Sequence, residues 1–442
     1  MNMSRRIFSS LLLSALVLTA ASLGANAQTY GSYTPYSIFG VGDMASQGTA
    51  YNKSMGGVGI ASRNHRFINP LNPAAVTARD TLAFMADYSL LQDNKIFRQG
   101  DRYSASNTFN VADCILSFPI WRSSAFMLGI MPYSDTGYGY GYYVIDKSIV
   151  GNTGNITYQA AGKGSIYQVF LAAGATFWDR LSIGAEAIYY FGKIEKTFQE
   201  SFSESSYNGA MNGHILQLQA PAGKFGLQYE QPLGPKSSLT LGATYKTAAN
   251  LSGNIESYRY STGTAASDTL YHKSGAPGDI SFASEKGVGL CFHMADKFMA
   301  EIDYTRSDWR STGLDAREGM TGNLTTGPGR SSFQTALSES YRIGFEYIPN
   351  RNDIRYYYKR IAYRAGAYWK KDYFMVDQNP VNAYGITLGA TLPVFRMYNG
   401  ITVGMDFGRR GTIKNNMVRE TYCNFSVGFN LFDIWFIKNR YD

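Results

Sequence analysis

From about residue 81 to residue 431 the chain alternates apolar and polar or small side chains at period two, in about fourteen short segments. That period belongs to strands that bury or shield one face, because successive side chains on a strand point to opposite sides. The C-terminal third shows it most clearly. Phe425, Val427, Phe429 and Leu431 interleave with Asn424, Ser426, Gly428 and Asn430. Ile401, Val403, Met405 and Phe407 interleave with Thr402, Gly404, Asp406 and Gly408, and Ile386, Leu388, Ala390 and Leu392 with Gly385, Thr387, Gly389 and Thr391. Earlier strands are expected over residues 81–91, 108–118, 124–132, 165–177, 181–192, 213–230, 238–246, 286–293, 297–309, 333–348 and 356–370.

The spacing between these segments alternates as well. Residues 119–123, 178–180, 231–237, 294–296, 349–355 and 393–399 are tight and carry Pro, Asp, Asn or Ser, whereas 133–164, 193–212, 247–284 and 310–332 are long. Short periplasmic turns alternating with long external loops are the signature of an outer-membrane β-barrel. A soluble β-sandwich also has alternating strands, but it has no use for aromatic residues at the strand ends. Here Tyr88, Trp121, Trp178, Tyr189, Tyr190, Tyr229, Tyr245, Tyr304, Trp309, Tyr347, Tyr363 and Trp369 fall near strand ends, where interfacial girdles belong. The fold class is therefore all-β: a transmembrane antiparallel barrel of about 14 strands, over residues 80–442. High Tyr (34), Phe (26) and Gly (46) with only 17% charged residues fits that class.

Residues 1–27 read as a secretory signal peptide: Arg5 and Arg6, an apolar run from residue 7 to 23, then Ala25-Asn26-Ala27 as a processing site. Beyond it, no apolar run reaches the roughly 18 residues that a spanning helix requires. Without Arg5 and Arg6 the net charge of +8 falls to +6, a small excess that selects no partner and gives no reason to expect nucleic acid. Cys114, Cys291 and Cys423 lie on separate strands without metal-like spacing and read as small wall residues.

Residues 28–79 do not alternate and are rich in Gly, Asn, Pro and Ser. They are nevertheless too apolar for a disordered tail, with Ile38, Phe39, Val41, Met44, Met55, Val58, Ile60, Phe67 and Ile68. Fourteen strands enclose a lumen that wall side chains cannot fill, so this segment is expected inside as an N-terminal plug, or hatch. The lumen-facing row carries Asp87, Glu186, Lys246, Glu301, Asp303, Arg342, Glu346, Arg364 and Asp406. Buried charges need partners, which Arg63, Asn64, Arg66, Asn69 and Asn72 could supply; a water-filled lumen is the other reading. No enzyme is expected. His65, His214, His272 and His293 are scattered, no Gly-x-Ser-x-Gly run is present, and neither a cofactor nor a metal set stands out.

Within the hatch, Asn52-Lys53-Ser54-Met55-Gly56-Gly57-Val58-Gly59-Ile60-Ala61 is followed by Ile68-Asn69-Pro70-Leu71-Asn72-Pro73-Ala74-Ala75-Val76. The run resembles the long-chain fatty acid transporter (FadL/TodX) superfamily of outer-membrane proteins, whose hatch has a Gly-rich segment and an Asn-Pro-Ala turn before the first strand. Tyr36-Ser37-Ile38-Phe39-Gly40-Val41-Gly42-Asp43 and the ending Asn430-Leu431-Phe432-Asp433-Ile434-Trp435-Phe436-Ile437-Lys438 look like its Bacteroidetes-type branch.

That resemblance implies passive uptake of hydrophobic small molecules, fatty acids or aromatic compounds, captured by external loops, held above the hatch and released through a lateral opening at a kink in the third strand. Mapped here, Asn72, Pro73 and Ala74 make the hatch turn, Gly129 and Pro132 the strand-3 kink, and Phe39, Met44, Met55, Ile60 and Phe67 the ligand surface of the hatch. Tyr138, Tyr140, Tyr142 and Tyr143 lie on a Gly-rich stretch that offers a capture surface or, equally, an extended girdle. Membrane lipid and lipopolysaccharide are expected as surroundings in the bacterial outer membrane. The superfamily also includes non-transporting scaffolds of protein secretion systems, so a protein partner is the alternative. The polar lumen row confines any apolar path to the hatch, the upper pocket and the kink.

Overall fold

The computed structural model describes residues 31–79, 83–121, 123–144, 147–204, 206–262, 267–322, 332–394 and 399–434. The signal peptide expected over residues 1–27 lies outside the described residues.

Fourteen wall strands form one closed antiparallel barrel. They are β1 (Ala83–Gln99), β2 (Arg102–Trp121), β3 (Ser124–Val144), β4 (Ile156–Phe177), β5 (Leu181–Phe202), β6 (Gly209–Gly234) and β7 (Ser237–Lys246). They continue with β8 (Glu285–Met294), β9 (Phe298–Asp308), β10 (Leu337–Tyr347), β11 (Ala362–Val376), β12 (Asn379–Pro393), β13 (Gly400–Gly411) and β14 (Arg419–Ile434). Each pairs with its sequence neighbours, and β14 returns to β1, with Ala83 opposite Ile434 and Arg98 opposite Arg419. Closure gives every wall strand a partner on both sides along most of its length, the condition for strands to cross hydrocarbon.

Each of the fourteen expected segments contains a wall strand, and the C-terminal strands show the expected facing. Leu388, Met405, Phe429 and Leu431 are exposed on the outer surface, while Thr387, Thr402, Ser426 and Asn430 are buried inside. Tight turns join most strands at one end of the barrel, although the connection expected to be tight at 349–355 runs over residues 348–361. Trp178 and Asp179 take left-handed φ values of 51° and 55° between β4 and β5, and at the other end Asp377 and Gln378 do so at 49° and 62° in a two-residue connection of the primed hairpin type.

Three expectations are corrected. The long connections 133–164 and 193–212 are largely strand, because β3 to β6 run on for 21, 22, 22 and 26 residues, and 247–284 contains a hairpin of Ser252–Thr262 with Ser267–Gly275. Residues 356–361 are not strand. Tyr357–Arg360 form a 3-10 turn, with Arg355 and Lys359 stacked on Tyr356 at 5.1 and 4.6 Å, so aromatic density there reflects cation–π pairing and not a wall row. Tyr190 and Trp309 do not join a girdle but lie buried in the lumen.

No helix among the described residues is long and apolar enough to cross a membrane. The facing gives a direct expectation: Phe429→Arg or Leu388→Arg should cost on the order of 2 to 4 kcal/mol near mid-membrane and deplete the heat-modifiable folded band, whereas Leu270→Arg, on the hairpin beyond the wall, should leave it unchanged. Equal loss at all three positions would mean the facing is wrong.

Candidate functional site

Residues 31–79 run against the inner face of the wall and are bonded to it along their length. The Gly-rich run lies closest. Gly56 and Gly57 hold φ of +72° and +76°, which side chains rarely tolerate, and a Cβ on wall Gly344 would come within 2.5 Å of the Met55 carbonyl oxygen. The backbone can approach because the wall presents glycine there. Gly56 N–H donates to Thr387 Oγ1 at 2.7 Å, and Arg342 Nη1 to the Gly57 carbonyl at 3.3 Å.

The acidic pair Glu301 and Asp303 lies on the inner face of β9, as expected, but it binds backbone. Gly59 N–H and Ile60 N–H donate to Asp303 Oδ2 at 2.8 and 3.1 Å, and Ala61 N–H and Ser62 N–H to Glu301 Oε1 at 2.7 and 2.9 Å. The expected hatch cations pair elsewhere: Arg63 with Glu230 at 3.4 Å and Arg66 with Asp296 at 3.7 Å. Asn69 bonds within the segment, to the Gly59 carbonyl at 2.6 Å. Asn72 caps the turn, accepting from Ala74 N–H at 3.0 Å and donating to the Ile60 carbonyl at 2.7 Å, with Pro73–Thr77 forming a 3-10 turn. The upper part is held by Lys196, whose ammonium donates to the carbonyls of Ile38 and Gly40 at 2.8 and 2.9 Å.

Above this contact layer lies a cavity of about 360 Å³. The segment contributes Asp43, Met44, Gln47, Lys53, Ile60 and Leu71, and the wall contributes Met131, Tyr133, Phe170 and a ring of charged groups including Lys95, Glu186, Lys246, Glu285, Asp406 and Arg410. Eight acidic and eight basic side chains line it, so its formal charges balance. Arg410 organises one side, bonding Asp43 at 2.9 Å, Asp372 at 2.6 Å and Glu420 at 3.6 Å, while Lys95 sits 3.8 Å from Asp43. Burial alone would raise the Asp43 carboxyl, but Arg410 and Lys95 outweigh it and hold the group below the usual carboxylate range.

An aromatic layer lies toward the long-loop end of the lumen. Tyr133 packs on Tyr190 and Phe282 at 4.5 and 4.9 Å, and the contacts continue through Trp309, Tyr373 and Phe374 to Phe39, which stacks on Phe333 at 5.6 Å. Sequence reasoning missed its wall members. Tyr190 carried a signal, since its parity along β5 is that of Glu186 and hence inward.

The wall is incomplete in one interval. The β2–β3 ladder runs from Trp121–Ser124 to Cys114–Ile130, and among the described residues no pairing continues it. Beyond that point β2 stays on β1 and β3 stays on β4, while residues Met131, Tyr133, Ser134, Asp135, Thr136 and Tyr138 of β3 are all buried. The N-terminal segment takes the vacated edge. Asp43 and Met44 pair with Asp135 and Ser134, Ala45 N–H donates to the Tyr133 carbonyl at 2.9 Å, and Thr34 N–H to the Gly137 carbonyl at 2.8 Å. Asn110, Val111 and Ala112 on β2 and Met131 and Pro132 on β3 line both the split and the cavity.

These positions sort the expected site residues. Met44 and Ile60 line the cavity, and Phe39 belongs to the aromatic layer. Met55 and Phe67 do not face the cavity. Both sit in a second cluster against the wall, where Phe67 stacks on Tyr51 at 4.7 Å beneath Arg364. Pro132 does mark the change in β3, next to a register shift between Pro132 and Ser134, but Gly129 is paired regularly with Ile115 and Phe170. Tyr138, Tyr140, Tyr142 and Tyr143 are not on a loop. They continue β3 against β4, with Tyr138 buried and the other three exposed, because Gly alternation there packs Tyr138 over Gly162 and does not loosen the backbone.

Gly344→Val should push Met55 off the wall, and Glu301→Ala with Asp303→Ala should orphan four buried amides at a cost of about 1 to 3 kcal/mol each. Limited proteolysis should then cut within residues 31–79 while the barrel stays heat-modifiable; resistance equal to the unaltered chain would deny that these contacts hold the segment.

Among solved structures the chain shares its fold with the P. putida toluene transporter TodX, at TM-score 0.58 and 13% identity over 87% of this chain and 97% of that one. The Ralstonia pickettii toluene transporter TbuX gives 0.57 and 15% identity over 86% and 97%, and a Pseudomonas aeruginosa FadL homologue 0.50 and 11% over 88% and 98%. At these identities the likeness is one of fold, and it agrees with the expected fourteen-stranded barrel. No curated protein sequence matches. The sequence profile of the BamG family spans residues 3–442, and the chain belongs to that family.

Proposed function

We propose that this protein is an outer-membrane channel for passive movement of hydrophobic small molecules, fatty acids or aromatic compounds, through a lateral opening between β2 and β3. The observation that carries the reading is the unpaired interval beyond Cys114–Ile130, whose two sides also line the cavity. Backbone groups left off a ladder inside a bilayer are costly, so an interval of this kind persists only where something else satisfies it or where it serves a passage. In this reading residues 28–79 are the hatch, the aromatic layer is the apolar binding surface, and the charged cavity receives a polar end of the ligand. The hydroxyls of Tyr138 and Tyr190 are buried without a hydrogen-bond partner among the described residues and are suited to meet such an end. The short-turn end faces the periplasm and the long loops face outward. Hatch and C-terminal motifs support a place in the Bacteroidetes-type branch of the superfamily.

A second reading, a scaffold for other proteins, is favoured by a different feature. At the short-turn end, residues 348–361 form a long connection on which Ile354 is 99% exposed beside exposed Tyr356, Tyr357 and Tyr358. Apolar and aromatic groups displayed among Arg355, Lys359 and Arg360 suit a protein contact better than water.

The two readings separate in one experiment. Ala112→Trp with Met131→Trp narrows the passage from both sides, and uptake of a labelled long-chain fatty acid or monoaromatic compound into cells should fall tenfold or more while the barrel remains heat-modifiable. Unchanged uptake in assembled double-variant barrels rejects the lateral route. Uptake at background for the unaltered chain, with loss of co-purifying protein on Ile354→Asp, would instead establish the scaffold.

A further inference from the structure

Three arginines share one patch of the outer wall surface at the long-loop end. Arg98 on β1 stands directly opposite Arg419 on β14, and Arg409 on β13 stands opposite Thr421, two residues along the same face from Arg419. Like charges directly opposite on neighbouring strands destabilise a sheet, and among the described residues none of the three has a carboxylate partner. The acids near them along these strands, Asp93, Asp406 and Glu420, line the lumen cavity, and Asp101 lies out in the turn. Arg98 is steadied over the Tyr103 ring at 5.0 Å, and Arg419 Nε is buried without a hydrogen-bond partner.

Immediately toward mid-barrel from the arginines the wall surface is hollow. A groove of about 840 Å³ crosses β2, β1, β14, β13 and β12. Small residues, among them Ala105, Thr421 and Cys423, form its floor, and Ile96, Phe407 and Ile386 its apolar sides. A cationic cluster at the strand ends with an apolar groove beneath it, on a surface facing lipid, matches an anionic headgroup at the interface whose acyl chain lies along the wall.

We propose that this surface is a binding site for a phosphorylated saccharolipid of the outer leaflet, an acylated disaccharide bisphosphate of the lipid A type, with Arg98, Arg409 and Arg419 on its phosphates and one acyl chain in the groove. The choice of lipid over a free anion follows from the groove, which offers nothing to an ion. The choice of a phosphorylated lipid follows from three planar guanidinium groups, each able to bind phosphate through paired N–H donors. The inference rests on the outer-membrane reading only for which leaflet supplies the lipid; it does not depend on transport.

The test is native mass spectrometry of the full chain in neutral detergent with three probes: lipid A bisphosphate, the same lipid with both phosphates removed, and inorganic phosphate. The unaltered protein should retain the bisphosphate lipid, bind the dephosphorylated lipid at least tenfold more weakly, and keep its lipid in excess inorganic phosphate. Arg98→Gln with Arg409→Gln and Arg419→Gln should weaken retention tenfold or more, and Cys423→Phe, which fills the groove with the arginines intact, should do the same, both with heat-modifiable barrels. Retention unchanged in either variant, equal binding of the dephosphorylated lipid, or displacement by inorganic phosphate would each overturn the proposal. Hydrophobic-substrate uptake should be unaffected by the arginine variant, so failure of the lipid site and failure of the channel reading are read out separately.

Discussion

Every structural choice in this chain answers one constraint, that a strand in hydrocarbon cannot leave its amides and carbonyls without partners. Closure of β14 onto β1 meets it for most of the wall. Between β2 and β3 it is met differently. There the exposed edge of β3 is completed from within by Asp43, Met44, Ala45 and Thr34. The N-terminal segment therefore does more than occupy space. It supplies part of the hydrogen bonding that a fully paired wall would supply for itself, and the wall is not independent of it, as the alternation of its strands alone would suggest.

The fold was legible because facing is a one-residue property. A strand slipped by a single position would put Leu388 inside and Thr387 into lipid, so the period-two pattern carried both the strand count and the orientation of each side chain. Strand length was not legible for the matching reason. Where β3 to β6 extend past the lipid, neither face is held to an apolar rule. Thus Gln159, Lys163 and Glu195 fall within paired strand although they resemble loop. At residues 356–361 the opposite error arises, because aromatic residues stacked with arginine and lysine in a surface turn imitate a girdle.

The site was legible in part. Glu301 and Asp303 stood out as an inward acidic pair, but their partners are backbone amides, which any sequence provides, so nothing in residue identity could assign them. The turn at Asn72 could be read because Asn and Pro dictate local geometry through their own covalent chemistry. The aromatic layer could not, since its members come from β3, β5, β11, two loops and the N-terminal segment, and only closure of the barrel brings them together.

The same bonds bear on how such a lumen can admit a molecule. Expelling residues 31–79 would break the four amide contacts to Glu301 and Asp303 together with the Asp43–Arg410 pair. At about 0.5 to 1.5 kcal/mol net for each hydrogen bond the amides alone are a sizeable part of the roughly 5 to 15 kcal/mol that holds a whole domain folded. The passage proposed between β2 and β3 asks less. It needs displacement of the bonds that Asp43, Met44, Ala45 and Thr34 make to β3, with the Asp43–Arg410 pair, while the contacts at Gly56 to Ser62 stay in place. For the proposed channel, local movement at the split edge therefore breaks fewer of these hydrogen bonds than expulsion of the segment would.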